Sequence, residues 1–173
     1  MVDASVLEPA IVRAATRDDL PAVLAIHNGE IAHGTALWSD VPVDLDDRAA
    51  WFDGRVGAGF PVLVAEVEGV VAGYGSYGPW NPKNGYRFTV EDSVYLAPEF
   101  QGRGIGRLLL ETLIARAKAD GLHRMIADIE AGNAASVALH ERLGFRMTGV
   151  LPEVGFKFDR RLDLALLVLD LDD

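Results

Sequence analysis

A group of residues that could bind a phosphate lies where a β-rich segment, 88–96, gives way to a helical pattern. The turn between them carries, in order, Gln101, Gly102, Arg103, Gly104, Ile105, Gly106 and Arg107. Glycine lets a ligand approach the backbone closely, and amide N–H groups at a helix start attract anions. The two arginines lie one helical turn apart and would add positive charge. The segment predicts a phosphate or pyrophosphate site, and a plain glycine turn with solvated arginines is the alternative.

Two well-known nucleotide motifs do not fit this turn. A P-loop requires a lysine directly after its last glycine, and none stands there. A dinucleotide fold places G-x-G-x-x-G after its first strand, with an acidic residue about 20 positions further on. The glycines at 102, 104 and 106 have another spacing and lie late in the chain. Neither motif therefore explains the turn.

The segments that must position this turn show strand and helix patterns along the whole chain. Strand patterns lie at 11–15, 61–68, 70–77, 88–96, 124–129, 145–149 and 162–171. Helix patterns lie at 17–33, 44–56, 105–121 and 133–143. Three consecutive strands in the middle argue against a purely alternating parallel fold. We expect a mixed sheet with helices on its faces, and the last strand could lie at a sheet edge or interface.

The composition is that of a globular protein with one core. The 173 residues, 50% of them hydrophobic, fit a single domain at 11–173 after a loose leader at 1–10. The net charge of −10 disfavours binding to nucleic acid or to an anionic membrane, and the apolar runs are too short to span a bilayer. Cysteine is absent, which excludes disulfides, cysteine nucleophiles and cysteine metal ligands. No secretory signal pattern opens the chain, so we expect a cytoplasmic location.

Two motifs carry a resemblance to a known family. Gln101-x-x-Gly104-x-Gly106 after a β-rich strand resembles the acetyl-CoA motif of the GNAT superfamily of N-acetyltransferases. The stretches Asn-Ala-Ala-Ser at 133–136 and Leu-His-Glu-Arg-Leu-Gly-Phe at 139–145 are similar to the next motif of that superfamily. Four further segments resemble one group within that superfamily, the phosphinothricin and methionine sulfoximine acetyltransferases. These segments are 33–36, 78–80, 86–96 and 155–158.

The resemblance covers nearly all of 11–171 and implies the GNAT fold. This is an α/β (α+β) architecture with a mixed, twisted central sheet of about seven strands. The sheet is splayed between its fourth and fifth strands and is flanked by helices.

The same resemblance implies acetyl-CoA as the co-substrate and no metal ion. The residues implied in binding acetyl-CoA are Val94, Tyr95, Leu96, Gln101, Gly102, Arg103, Gly104, Ile105, Gly106, Arg107, Asn133 and Ser136. A backbone N–H near Leu96 would polarise the thioester carbonyl where the sheet splays. Asn133 would bind the pantetheine arm, cap the following helix, or do both.

Acetyl transfer to an amine requires a base for the amine, a polarised carbonyl and a thiolate that can leave. Glu91 is the predicted base, because family members carry a glutamate at the matching place; burial must raise its pKa, or a water must relay the proton. His140 is the second candidate, at a position where many GNAT members have a tyrosine proposed to protonate the thiolate. The alternatives are a surface glutamate and a histidine packed against the sheet.

The acceptor is expected to be a small amino-acid-like molecule, whose anionic groups need cationic partners. The candidate contacts are Thr35, Trp80, Lys83, Tyr86, Arg87, Thr89 and Lys157. Because members of the family are commonly homodimers, the resemblance implies a homodimer. Two other functions remain open: acetylation of a protein N-terminus or another amine, and a CoA-binding sensor without turnover.

Overall fold

The computed structural model describes residues 9–172, so positions 1–8 of the predicted leader lie outside the described residues. One mixed sheet has the strand order β1-β2-β3-β4-β5-β7-β6. Its strands are β1 (Ile11–Ala14), β2 (Val62–Val67), β3 (Val70–Pro79), β4 (Thr89–Leu96), β5 (Arg124–Glu130), β6 (Arg146–Lys157) and β7 (Arg160–Asp170). The α-helices in this range are α1 (Leu20–His33), α2 (Leu45–Gly57), α3 (Ile105–Ala119) and α4 (Ala134–Arg142). None of them is long and apolar enough to cross a membrane.

The predicted element order and the mixed sheet are confirmed. Most boundaries agree within two residues, and two differ by more. The first helix begins at Leu20, after a short 3₁₀ turn, and Pro21 lies in its first turn, where a missing N–H costs nothing. The strand predicted at 145–149 runs on to Lys157. Two irregularities in its pairing with β7, around Gly149 and Gly155, disrupt the alternation that the prediction relied on.

The last strand does not lie at the edge of the sheet, as the sequence had suggested it could. β7 pairs with β5 on one side and with β6 on the other. Leu162, Ala165 and Leu167 on β7 are fully buried, as expected for an interior strand. The edge strands are β1 and β6.

The sheet opens between β4 and β5, which confirms the expected splay. These two strands are parallel and pair only where Thr89–Glu91 faces Arg124–Ile126. Beyond Glu91, β4 continues to Leu96 paired with β3 alone, while β5 continues to Glu130 paired with β7 alone. The divergence leaves a cleft whose walls are the ends of two strands.

Helices cover both faces of the sheet, so successive β4 side chains meet different helices. Leu110 and Leu113 of α3 pack on one face, in a core that also holds Val90 of β4. Val23 of α1 packs on the other face, against a cluster that includes Tyr95 of β4. Because side chains alternate along a strand, the odd-numbered β4 residues face α1 and α2, and the even-numbered ones face α3 and α4.

Candidate active site

The cleft between β4 and β5 contains two adjoining cavities, the larger of about 260 Å³. Residues that line both are Ala36, Asp92, Ser93, Tyr95, Asp128 and Glu130. Glu91 lines the larger cavity, and Asn133, Ser136 and His140 line the smaller one. Carboxylates are thus numerous, and among the lining residues there is no lysine or arginine. The structure therefore brings both predicted acid–base residues to one cleft.

Glu91 lies at the last point where β4 and β5 still pair, on the face of α1 and α2. Burial, with the nearby negative charges of Asp128 and Asp92, raises the pKa of Glu91 to about 7, although the Arg55 charge opposes the rise. A carboxylate with this pKa accepts a proton far more readily than one in water. A raised pKa was one of the two ways that the sequence analysis gave for Glu91 to act as a base, and the surroundings of Glu91 favour it.

His140 faces the cleft from α4 and is buried, with both ring nitrogens in hydrogen bonds. Its Nδ1 lies 2.8 Å from the carbonyl oxygen of Ser136, and its Nε2 lies 3.1 Å from Oδ2 of Asp92. A carbonyl only accepts, so Nδ1 donates to it. Burial alone would lower the pKa of His140, but the hydrogen bond and charge of Asp92 outweigh it and the pKa is raised. Asp92 therefore stabilises the protonated form of the His140 imidazole.

Asp92 is the residue of this group that the sequence analysis missed. Its side chain is buried, and Oδ1 has no hydrogen-bond partner among residues 9–172. A buried carboxylate oxygen without a partner is uncommon and costly. Because the carboxylate lines both cavities, Asp92 connects His140 to the cleft. One signal for Asp92 was available in the sequence. Side chains alternate along β4, so the side chain of Asp92 points to the face opposite that of Glu91, the face on which the helix of His140 lies.

The glycine-rich turn has the backbone shape that the sequence predicted. Gly102 and Gly104 have φ angles of 73° and 80°, which other residues adopt only at a cost. Gly104 caps α3, and Leu108 is the first residue to donate within the helix, to the Gly104 carbonyl. The amides of residues 105–107 therefore have no acceptor inside α3, and such amides suit an anionic group.

The arginines of the turn are less free than predicted. Arg107 donates to Glu111 one turn along α3, at 2.7 Å, and both side chains are exposed. The Arg103 guanidinium lies over the ring of Phe100, 5.3 Å from its centre. Exposed contacts of this kind are weak and easily exchanged for a phosphate.

At the start of α4, Asn133 acts as the helix cap that the sequence offered as one of its roles. Its Oδ1 accepts from the backbone N–H of Ser136 at 3.1 Å. Both residues also line the smaller cavity, so the cap orders one wall of the cleft.

The predicted substrate contacts fall into two groups. The loop after β3 carries Trp80 and Tyr86, whose rings meet edge to face at 5.3 Å, together with the exposed Lys83 and Arg87. Thr89, where β4 begins, is half-buried, and the described residues of this group line neither cavity.

The second group comes from the loop after α1. Thr35 donates to Glu130 at 3.3 Å, beside Ala36 and Trp38, which line the larger cavity.

Lys157 is not available to a substrate as the sequence analysis expected. The residue is 1% exposed, and its Nζ donates to the carbonyls of Glu30, Gly34 and Leu37 at 3.3, 2.7 and 2.6 Å. An ammonium has three N–H donors, so its hydrogen-bonding capacity is used up. Lys157 instead ties the end of β6 to the segment that follows α1.

Comparison with known proteins agrees with this geometry. The model of the acetyltransferase (GNAT) family matches residues 20–145. The chain is 52% identical to an L-methionine sulfoximine/L-methionine sulfone acetyltransferase of Pseudomonas aeruginosa, over 94% of this chain and 95% of that protein. It is 45% identical to a phosphinothricin N-acetyltransferase of Alcaligenes faecalis, over 90% and 80% of the two chains.

A solved structure carries the same fold with acetyl-CoA bound. It is a GNAT superfamily phosphinothricin acetyltransferase from Sinorhizobium meliloti in complex with acetyl-CoA, 37% identical, with a TM-score of 0.92 over 94% of this chain and 89% of that one. The sheet, the cleft, the glycine turn and these similarities together establish that the chain belongs to the GNAT family of acetyltransferases.

Proposed function

We propose that this protein transfers the acetyl group of acetyl-CoA to the amino group of a small amino acid of the methionine sulfoximine, methionine sulfone or phosphinothricin type. The observation that carries the proposal is Glu91, a carboxylate with a pKa of about 7 that lines a cleft rich in acids. Such a cleft attracts an ammonium ion and contains a group able to deprotonate it. The names of the relatives supply the acceptor class.

The reaction we propose is direct attack without a covalent enzyme intermediate. The ammonium of the acceptor loses a proton to Glu91, directly or through a water. The amine nitrogen then forms a bond to the acetyl carbon and loses a second proton, the carbon–sulfur bond breaks, and the thiolate of CoA takes up a proton. One proton per turnover is left over, and Glu91 returns it to solvent. The chain contains no cysteine that could carry the acetyl group, which is consistent with a single transfer step.

The Asp92–His140 pair is the group that we propose as the proton donor to the thiolate. It lies on the face of β4 opposite that of Glu91. The pair holds a proton between Nε2 and Oδ2, at 3.1 Å, next to the cavity that Asn133 and Ser136 line. Main-chain N–H groups that face β5 beyond Glu91 have lost their strand partner within the described chain. They are available to polarise a thioester carbonyl, as expected near Leu96.

Acetyl-CoA would be held at the other end of the cleft by the glycine-rich turn. The free amides of residues 105–107 and the charges of Arg103 and Arg107 fit a diphosphate. Gln101, Gly102, Gly104, Ile105 and Gly106 shape the turn, and Val94, Tyr95 and Leu96 line the approach along β4. For the acceptor we retain Thr35, Trp80, Lys83, Tyr86, Arg87 and Thr89 as candidate contacts.

We also propose that the protein acts in the cytoplasm as a homodimer joined through β6. This edge strand and the turn after it expose large apolar side chains at Met147, Val150, Leu151, Val154, Phe156 and Phe158. An exposed apolar edge strand is a typical interaction surface. With a net charge of −10, nucleic acid and anionic membranes are poor partners.

A thiol-release assay with acetyl-CoA tests the function. The acceptors are L-methionine sulfone, L-methionine sulfoximine, phosphinothricin and a peptide with a free N-terminus. We expect turnover of the amino acids and little of the peptide, and we expect Glu91→Gln to lower kcat by about 10²-fold or more while CoA affinity holds. Binding of CoA without turnover of any acceptor would indicate a sensor instead, and an unchanged kcat in Glu91→Gln would remove Glu91 from the role of base.

A further inference from the structure

Arg55, near the end of α2, places its guanidinium beside Glu91 in a space that Gly78 leaves open. Gly78 and Glu91 are direct neighbours across β3 and β4, so side chains at these positions point to the same face. A Cβ atom at Gly78 would lie 0.9 Å from Nη1 of Arg55. The guanidinium therefore fills the place of a side chain at position 78, next to the Glu91 carboxylate.

This guanidinium has hydrogen-bonding capacity that the protein does not use. It has five N–H donors in a planar fork that matches a carboxylate. Among the described residues, the side chain of Arg55 interacts electrostatically with Glu91 and Tyr95 but makes no hydrogen bond or ion pair. Its nitrogen atoms are not among the buried polar atoms without a partner, so they remain accessible to a ligand.

Arg55 is also placed where other cations are missing. The residues lining the two cavities include four acids and, in the described chain, no lysine or arginine. The ammonium of Lys157 is bound to three carbonyls, and Lys83 and Arg87 lie on an exposed loop. Arg55 lines neither cavity, but its guanidinium lies beside Glu91, so an acceptor anion next to Glu91 would meet Arg55 before these other cations.

We propose that Arg55 binds the α-carboxylate of the acceptor and thereby selects α-amino acids over other amines; this rests on the function proposed above. In an α-amino acid the nitrogen and the carboxylate carbon are attached to one carbon and lie about 2.5 Å apart. Cross-strand neighbours have Cβ atoms about 5 Å apart. A base at position 91 and a cation in the place of a side chain at 78 therefore match the two ends of a single zwitterion.

This arrangement has a consequence for the choice of acceptor. A bidentate pair between Arg55 and the carboxylate would hold the amine beside Glu91 and would be lost in any amine without an α-carboxylate. The N-terminus of a protein lacks a free α-carboxylate, so Arg55 disfavours it. The same residue would thus separate free amino acids from polypeptides.

The test compares two acceptors that differ only in the carboxylate: L-methionine sulfone and 3-(methylsulfonyl)propylamine. We expect the wild type to favour the amino acid by about 10²-fold in kcat/KM. Arg55→Met should abolish this preference, lowering kcat/KM by about 10²-fold for the amino acid and by less than about threefold for the amine. Arg17→Met removes an exposed arginine that pairs with Asp53 on α2, and should keep the preference.

Gly78→Ala provides an independent variant that leaves Arg55 in the sequence. The added methyl group must displace the guanidinium, so this variant should also lose the preference, and it decides the matter if Arg55→Met does not fold. An equal loss with both acceptors would mean that Arg55 acts on Glu91 alone and would overturn the inference while leaving the acetyltransferase activity in place. A folded, CoA-binding wild type that acetylates neither acceptor would overturn the proposed function as well.

Discussion

Single residues in the cleft act on one another chiefly through negative charge. Glu91, Asp92, Asp128 and Glu130 all contribute to its walls. Burial raises the pKa of Asp128, and the negative charge of Asp92 adds to the rise. The cleft thus favours a cation and keeps a proton available near neutral pH.

The pKa of Glu91 predicts how the rate depends on pH. A base must be ionised to act, so kcat/KM for L-methionine sulfone should rise with pH through about 7 and then level off. In Glu91→Gln, kcat/KM should be low and should not rise with pH through about 7. If the rate of the wild type instead rose with pH near the ordinary glutamate pKa of 4.5, the prediction would be contradicted.

The same variant has a stability readout that does not depend on activity. The pKa of Glu91 is higher in the folded chain, about 7, than the ordinary value of 4.5. Between these values the folded state holds the extra proton, so the stabilising contribution of Glu91 is complete below about 4.5 and is lost as pH rises through about 7. Glu91→Gln stays neutral, so its gain in Tm over the wild type should be larger at pH about 8 than at pH about 5. An equal difference at both would contradict the raised pKa.

Sequence reasoning predicted two of the residues that we propose for acid–base chemistry, Glu91 and His140, but neither Asp92 nor Arg55. Glu91 and His140 match positions in segments that resemble the family. Asp92 and Arg55 can be assigned a role only from their tertiary contacts. Asp92 points to the helix of His140 because β4 alternates, and Arg55 reaches Glu91 because position 78, distant in sequence, is glycine. Contacts of this kind depend on strand register, which periodicity does not fix.

At the scale of elements, β6 supports the wall of the cleft from behind. Gly155 lies against the indole of Trp38, since a Cβ there would come within 2.3 Å of its ring. Trp38 in turn lines the larger cavity. The sequence analysis ended β6 at Gly149, so it missed the stretch that makes these contacts. The irregularities in β6 are local, but they bring the end of this strand to the segment after α1.

Lys157 predicts a measurable contribution of this connection to stability. Lys157→Met keeps the length of the side chain but leaves three carbonyls without their donor, which should cost about 2–4 kcal/mol in the free energy of unfolding. Urea denaturation measures the loss. Lys83→Met on the exposed loop is the matched variant and should change stability by less than about 0.5 kcal/mol. If both variants had the same free energy of unfolding, the three hydrogen bonds of Lys157 would not contribute measurably to stability.

For the whole molecule, the position of the cleft follows from strand lengths and pairing. β4 and β5 stay together for three residues at one end and separate where each keeps only its outer neighbour. Local patterns predicted the strands and their order along the chain. The splay was predicted only through the family resemblance, and the strand order within the sheet was not predicted, because neither leaves a periodic signal in the residues themselves.

The two edges of the sheet allow the dimer proposal to be tested with a matched pair of variants. β6 exposes Val154 and Phe156, at 56% and 61%, within a long apolar strand, whereas the short β1 at the opposite edge exposes Ile11 at 65%. Val154→Asp with Phe156→Asp places charges on the surface proposed to pair, and should shift sedimentation equilibrium from dimer to monomer. Ile11→Asp changes a similarly exposed apolar residue on β1 and should leave the dimer intact.

The β6 variant should also affect substrate binding. Because β6 contacts Trp38, we expect the monomeric variant to show a higher KM for the amino acid while the KM for acetyl-CoA changes little. A wild type that sediments as a monomer at micromolar concentration, or an Ile11→Asp variant that dissociates as readily as the β6 variant, would exclude β6 as the interface.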